Sequence, residues 1–332
     1  MKHVIAMLGF ALSMLASSLA CAAEPYGIGL EGFAYPYPVA MLAVPGEGET
    51  LRLAYMDVNP TGPANGRSIV LLHGRNFPSS YWEPTIKALA GAGYRVVVPD
   101  QVGFGKSSKP TAPLSFDLLA RDTLALIDSL GLAKVDIVAH SMGGMLAVRF
   151  ARSYPDRLNR LVMAAPIGLE DYRNFVPPVD TERLLADEDR LTPDAYRRQL
   201  VTNYSLTLPP EDITPFIDAR MRIKDSAEYP RWLRAFVNSY QMIYSQPVVY
   251  EIPFLPQKVL FIMGGNDHNA PGRAYAPEAL RPRMGDNARL ARDLAARMKD
   301  ARVEVFDGVG HLVQLEAKDR FNASVLAFLS AS

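Results

Sequence analysis

A serine hydroxyl attacks a carbonyl near neutral pH only when a base takes its proton, and that base needs a carboxylate to hold its tautomer. The stretch Ala139-His140-Ser141-Met142-Gly143-Gly144 offers the serine. It lies between an apolar run (Val135, Ile137, Val138) and a helix-like one (Met145, Leu146, Val148, Phe150, Ala151). A strand that folds back sharply into a helix needs small residues at the turn, because a bulky Cβ would collide there. Ala139, Gly143 and Gly144 supply them in a variant of the G-x-S-x-G elbow, with alanine in the first glycine position. In that reading Ser141 stands at the apex and the amide of Met142 lies at a helix N-terminus, able to donate to developing negative charge. Taken alone, small-x-Ser-x-Gly also fits an ordinary helix-capping turn.

The five histidines allow the base to be sought by elimination. His3 lies in a leader-like N-terminal segment, and the His140 side chain should point away from its neighbour's hydroxyl. His73 precedes a Gly74 turn and is expected to order that loop. His311 follows a β-branched run through Asp307-Gly308-Val309-Gly310, on a loop whose glycine permits close approach to the serine. It is the favoured base, with His268 the alternative. For the acid, Asp267 follows the run 258–263 directly; Glu170 and Asp171, after an earlier run, are alternatives. Asp267 could also simply cap the turn before Ala270-Pro271. The chain order Ser141, Asp267, His311 is one known arrangement of such a triad. A second oxyanion donor is expected from His73-Gly74-Arg75-Asn76, through the amide of Arg75, with Asn76 the other contributor. The Arg75 side chain is expected to face solvent, or to meet an acidic substrate group.

These groups need elements to carry them. Apolar runs at 51–58, 68–72, 94–98, 135–138 and 158–165 read as strands, and 81–92 and 116–130 have helical spacing. Between 166 and 250 the rhythm changes to short helical patterns rich in Pro, Tyr, Arg and Asp, clearest at 194–200, 215–222 and 229–244. The alternation then resumes, with runs at 258–263 and 303–306 and helices at 287–298 and 318–329. Buried runs alternating with helices predict an α/β fold with a mainly parallel sheet covered on both faces. Functional groups of such sheets gather at the carboxyl ends of the strands, where Ser141, Asp267 and His311 all fall. The helical interruption reads as a lid over those ends.

Lys2 and His3 precede an apolar run from residue 4 to about 19, which ends in Ala20-Cys21-Ala22-Ala23. That is the pattern of a secretory signal peptide, so residues 1–22 are expected to direct export to the periplasm or beyond. Cys21, the sole cysteine, raises lipid anchoring as an alternative, though Ser18-Leu19-Ala20 fits that pattern poorly. No disulfide can form within one chain, so stability rests on burial. The roughly 310 residues after processing can bury about three quarters of their unfolded surface. Thirty-five acidic and thirty-five basic residues balance, and no basic stripe points to nucleic acid. No membrane span is expected after signal removal.

The mature chain resembles the lidded enzymes of the α/β-hydrolase fold. The resemblance rests on His73-Gly74-Arg75-Asn76-Phe77, on Pro99-Asp100-Gln101-Val102-Gly103-Phe104-Gly105-Lys106-Ser107-Ser108 and on the elbow. Gly265-Asn266-Asp267, and Gly310-His311 followed by Gln314 and Glu316, complete it. It implies a mostly parallel central sheet with helices on both faces and a helical cap after the sixth strand. The expected organisation is a core at 24–166 and 251–332 with a cap at 167–250. It also implies Ser141 as nucleophile, His311 as base, Asp267 as acid, and Met142 and Arg75 as oxyanion amides, with no metal or organic cofactor. A serine at the elbow argues against the epoxide hydrolase and haloalkane dehalogenase branches, which use aspartate. The expected reaction is hydrolysis of an ester-like acyl bond in a small, apolar molecule through an acyl-serine. C–C bond hydrolases, amidases, lactonases and cofactor-free perhydrolases share the same triad and remain open. A silent binding module on the same fold is the alternative of another class, though such proteins usually lack a triad residue. Phe77, Trp82 and Met145 are candidates for the acyl pocket, or are ordinary core.

Overall fold

The computed structural model describes residues 24–331. The leader-like segment 1–22 and Cys21 lie outside the described residues. Eight strands form one sheet: β1 (Val39–Pro45), β2 (Thr50–Val58), β3 (Ser68–Leu72), β4 (Arg95–Pro99), β5 (Val135–His140), β6 (Leu158–Ala164), β7 (Lys258–Gly264) and β8 (Ala301–Phe306), in the order β1-β2-β4-β3-β5-β6-β7-β8. The β1–β2 and β2–β4 pairs are antiparallel and every other pair is parallel.

The pleat sorts each apolar run between two cores, since successive side chains leave a strand on opposite faces. Val70, Leu72, Ile137, Met163 and Phe261 pack to one side, with α2 (Phe116–Ser129), α3 (Met142–Ser153) and α8 (Asn287–Ala295). Ile69, Leu71, Val138, Val162 and Ile262 pack to the other, with α1 (Glu83–Gly91), α9 (Val313–Glu316) and α10 (Lys318–Ser330). Burial on both faces is why these strands read as unbroken apolar runs rather than as alternation.

Between β6 and β7 run α4 (Thr181–Asp189), α5 (Pro193–Tyr204), α6 (Pro210–Ile223) and α7 (Tyr229–Ser245). They hold a smaller apolar cluster of their own, including Leu184, Ile223, Trp232 and Phe236, closed by Leu30 from the segment before β1. Among the elements without a counterpart in the sequence expectations are β1 and α4. β1 is an edge strand with only Val44 buried, and α4 is a charge-rich helix whose one buried residue is Leu184. The side chain of Asp180 caps α4 by accepting from the Glu182 amide at 2.7 Å. No helix among the described residues is long and apolar enough to cross a membrane.

Candidate active site

β5 ends at His140, α3 begins at Met142, and Ser141 between them is held at φ 56° and ψ −120°. This left-handed backbone is unfavourable for a residue with a side chain and persists only where the surroundings impose it. Here the Ser141 amide donates to the Ala164 carbonyl of β6 at 3.1 Å, and its own carbonyl accepts from the amides of Gly144 and Ile167 at 2.9 and 3.3 Å. Gly74 brings the loop after β3 against the serine. A methyl group there would lie 3.0 Å from Ser141 Cβ and 2.9 Å from His140 Nδ1, so only glycine fits.

The structure brings together three residues that are distant in sequence. His311 Nε2 lies 2.9 Å from Ser141 Oγ, and His311 Nδ1 lies 2.9 Å from Asp267 Oδ2. A carboxylate only accepts, so Nδ1 carries the proton and bare Nε2 accepts from the serine hydroxyl. The other Asp267 oxygen accepts from the Asn269 amide at 2.9 Å. All three residues are buried. An arrangement of this kind can pass the serine proton to Nε2 while Asp267 keeps the ring oriented.

The loop bearing His311 is tied from both sides. The His311 amide donates to the Tyr204 carbonyl of α5 at 2.8 Å. Glu316 receives the amides of Gly310 and Leu312 at 3.0 and 2.9 Å, which explains the acidic residue just beyond the histidine. His140 points away from the hydroxyl as expected, and it bridges two loops: its Nε2 donates to the His311 carbonyl at 3.0 Å, and its Nδ1 accepts from the Tyr81 hydroxyl at 3.0 Å. Tyr81 in turn accepts from the Gly74 amide at 3.0 Å. Burial, followed by the neighbouring His311, holds His140 well below the usual histidine range, so the bridge stays neutral. His73 orders its own turn, with Nδ1 donating to the Gly74 carbonyl at 2.6 Å and Nε2 accepting from the Gln101 amide at 2.8 Å.

The alternatives have other partners. His268 Nδ1 meets the Gly285 carbonyl at 3.1 Å. Glu170 accepts from the Gly285 amide at 2.9 Å, and burial raises its pKa. Asp171 is bonded to Arg173 and to the Tyr250 hydroxyl, the Arg173 contact chiefly lowering its pKa.

A cavity of about 430 Å³ opens above Ser141. Its walls come from the helices between β6 and β7, through Leu184 and Glu188 of α4, Asn203 and Tyr204 of α5, and Val237 and Tyr240 of α7. The loop after β7 supplies Asn269, Gly272 and Arg273. This wall is of mixed polarity, unlike the apolar one expected. Nor do the three candidate pocket residues line it. Trp82 is fully buried between Tyr81, His140 and Phe321, and Met145 is fully buried in the core beneath Gly168. Phe77 lines a separate small cavity of about 50 Å³, against Phe216 at 5.0 Å. Trp82→Ala is therefore expected to cost about 3–5 kcal/mol of unfolding free energy in urea titration while leaving the preference among substrate sizes as in wild type. A changed size preference at unchanged stability would return Trp82 to the pocket wall.

Arg75 also departs from expectation, since its guanidinium turns inward. Nε donates to Ser239 Oγ at 2.9 Å, Nη2 donates to the Phe236 carbonyl at 3.0 Å, and the group lies 3.7 Å above the Phe236 ring. Glu188 pairs with Arg75 at 3.6 Å and also with Arg220. The loop beside Ser141 is thereby joined to α4, α6 and α7. Burial pulls the Arg75 pKa down and the Glu188 charge opposes it.

Two neighbours of His311 have no counterpart in the sequence reading. Asn269 Nδ2 sits 3.3 Å from His311 Nε2, and the Tyr204 ring lies 4.4 Å from the imidazole. The spacing Asp267-x-Asn269 is the one available signal for the first, because it marks a turn closing on the carboxylate. Tyr204 comes from an inserted helix, and its spacing along the chain carries no such mark.

Comparison with known proteins agrees with the fold. A model of the alpha/beta hydrolase family matches residues 69–324. Over 293 residues the chain is 31% identical to a 2-hydroxy-6-oxononadienedioate/2-hydroxy-6-oxononatrienedioate hydrolase of Burkholderia vietnamiensis, covering 85% of this chain and 92% of that one. It is 28% identical over 280 residues to a 2-hydroxy-6-oxo-6-phenylhexa-2,4-dienoate hydrolase of Burkholderia cepacia, covering 80% and 88%. The crystal structure of a probable hydrolytic enzyme from Pseudomonas aeruginosa superposes with a TM-score of 0.89 at 40% identity, covering 93% of this chain and 99% of that one. With the sheet order, the strained serine turn and the family match in agreement, the chain belongs to the alpha/beta hydrolase family.

Proposed function

We propose that this protein hydrolyses a carbon–carbon bond beside a carbonyl in a small, carboxylate-bearing oxo compound, through an acyl-Ser141 intermediate. The observation that carries the hydrolytic part is the unbroken path from Ser141 Oγ through His311 to Asp267, with both contacts at 2.9 Å. The bond type is supported by the 31% identity, over most of both chains, with a hydrolase of an oxo-dienedioate. The ester hydrolysis expected from the sequence ranks second, because the Burkholderia vietnamiensis and Burkholderia cepacia relatives are both named for hydrolysis of oxo-dienoate compounds. The mixed cavity wall, with Arg75 and Arg273 in it, also suits an anionic substrate better than an apolar ester.

In this mechanism Ser141 Oγ attacks the carbonyl carbon as its proton passes to His311 Nε2. Asp267 holds the Nδ1 proton and offsets the imidazolium charge. The oxyanion is assigned to the amides of Met142, at the start of α3, and Arg75, on the loop that Gly74 brings against the serine. The C–C bond then breaks, its electron pair taken up by a conjugated acceptor on the leaving fragment. That fragment receives the proton from His311. Water, deprotonated by His311, releases Ser141 as it attacks the acyl carbon, so that one water is consumed and a carboxylic acid forms. Export through residues 1–22 belongs to the same proposal and is tested by N-terminal sequencing of the protein secreted by its host.

The deciding experiment presents 2-hydroxy-6-oxo-6-phenylhexa-2,4-dienoate beside p-nitrophenyl esters of graded acyl length. Bleaching of the conjugated chromophore is expected with kcat/KM at least about 100-fold above the best ester, a difference of about 2.7 kcal/mol in transition-state stabilisation. The reverse ranking restores ester hydrolysis as the function.

A further inference from the structure

The cavity above Ser141 holds two hydrogen-bond donors that the mechanism does not use. Tyr240 Oη and Arg273 Nε are both buried, and neither has a hydrogen-bond partner among the described residues. The other two arginines of this wall are occupied. Arg75 is bonded to Ser239 and Phe236, and Arg281 donates to the carbonyls of Ala276 and Ala274 at 3.0 and 3.1 Å. Arg273 spends Nη2 on the Met284 carbonyl, which anchors its end and leaves Nε over. Buried donors without acceptors are uncommon in folded proteins and ask for an explanation.

The backbone brings the loop that carries Arg273 against the Tyr240 phenol. Gly272, directly before Arg273, has φ +79°, and a methyl group built on it would lie 2.6 Å from Tyr240 Oη. Only glycine lets this loop take that conformation with the phenol against it. The ring of Tyr240 is fixed by Tyr244, stacked at 6.5 Å, and by the edge of Tyr275 at 6.1 Å. Burial raises the Tyr240 pKa to about 12, so the phenol keeps its proton and remains a donor at neutral pH.

A neutral O–H and a cationic N–H in one cavity wall, both without acceptors among the described residues, complement an anionic oxygen pair. Charge-assisted bonds of this kind are the stronger class of hydrogen bond. We propose that Tyr240 and Arg273 form a carboxylate-binding subsite in the wall of the Ser141 cavity and select for substrates that carry a carboxylate away from the bond being cleaved. The subsite rests on the reading of Ser141 as nucleophile and adds to it the residues that determine substrate charge.

The test uses a fluorophosphonate probe on the whole protein, a readout indifferent to which bond the enzyme cleaves. Linear dicarboxylates from succinate to azelate are added as competitors, beside their uncharged diamides. Dicarboxylates are expected to slow labelling of Ser141 in wild type, and diamides are not. In Tyr240→Phe and in Arg273→Met the dicarboxylate concentration needed for half protection is expected to rise by about 10-fold or more in each, as for loss of a hydrogen bond to a charged group. Tyr240→Phe keeps the ring and its stacking, so it supplies a folded variant should Arg273→Met unfold. Wild-type labelling with no protection by any dicarboxylate, or with protection unchanged in Tyr240→Phe, overturns the subsite. Absence of labelling in folded wild type overturns the nucleophile reading instead.

Discussion

Ser141→Ala is expected to reduce turnover by about 10⁴- to 10⁶-fold and to abolish fluorophosphonate labelling, the loss seen when the nucleophile of a Ser-His-Asp unit is removed. The size follows from the geometry. His311 Nε2 meets one hydroxyl in the cavity, at 2.9 Å, and its other neighbour there is the Asn269 amide nitrogen at 3.3 Å, which is not a nucleophile. Without Ser141 the imidazole can only activate water directly on the substrate, so the covalent route closes. The elbow itself should survive. Ser141 holds its φ of 56° through backbone bonds to Ala164, Gly144 and Ile167, which alanine keeps. Stopped-flow or discontinuous assays of the variant, with its thermal unfolding as a control for folding, provide the measurement. Turnover within about 10-fold of wild type in a folded Ser141→Ala protein would mean that water, not serine, attacks.

Much of the architecture is legible in the sequence because burial writes itself plainly. β5, β6 and β7 are buried on both faces, so they appear as apolar runs bounded by charged or small residues. Each run leads into a loop at the carboxyl edge of the sheet, where such folds gather their functional groups. The edge strand β1 escapes because its solvent-facing side relaxes the pattern, and α4 escapes because eight of its nine positions are not buried. The site divides in the same way. Ser141, Asp267 and His311 are attached to strand ends, whose relative positions follow from sheet order. The cavity wall is attached to α4, α5 and α7, and helical periodicity says nothing about how such helices lie over a sheet. That is why the sequence makes Phe77, Trp82 and Met145 visible as candidates, near the elbow or its neighbouring loop, and leaves Tyr240 and Arg273 unmarked.

Arg75 shows the same limit through electrostatics. A lone arginine in a loop is most often solvated. Its burial here depends on Glu188, which belongs to α4 and is also paired with Arg220 of α6. With two cations around one carboxylate, the cluster leaves positive charge beside the Ser141 cavity. That surplus would suit the anionic substrate proposed above without any contact from Arg75 itself, and the Glu188 pairing ties the loop carrying the proposed oxyanion amide to the overlying helices.

Asp267→Asn is expected to lower kcat by about 10⁴-fold with the fold intact, whereas Glu170→Gln changes it by less than about 3-fold. The asymmetry comes from counting acceptors. Asp267 uses both oxygens, Oδ2 for the proton on His311 Nδ1 and Oδ1 for the amide of Asn269, each at 2.9 Å. Asparagine has one oxygen. The Asn269 N–H is fixed by the backbone and can only donate, so the asparagine oxygen stays with it and the NH₂ group faces Nδ1. His311 must then present a bare Nδ1 to that NH₂ and carry its proton on Nε2, pointing at Ser141. The imidazole can no longer accept the serine proton, although every heavy atom remains near its place. Glu170→Gln keeps a carbonyl oxygen for the Gly285 amide that Glu170 now serves at 2.9 Å, and it lies outside the His311 relay. Comparison of the two variants at a saturating concentration of the best substrate, with melting temperatures alongside, makes the measurement. A large loss in Glu170→Gln together with near-normal turnover in Asp267→Asn would move the acid to the loop after β6, and the tautomer argument would fail with it.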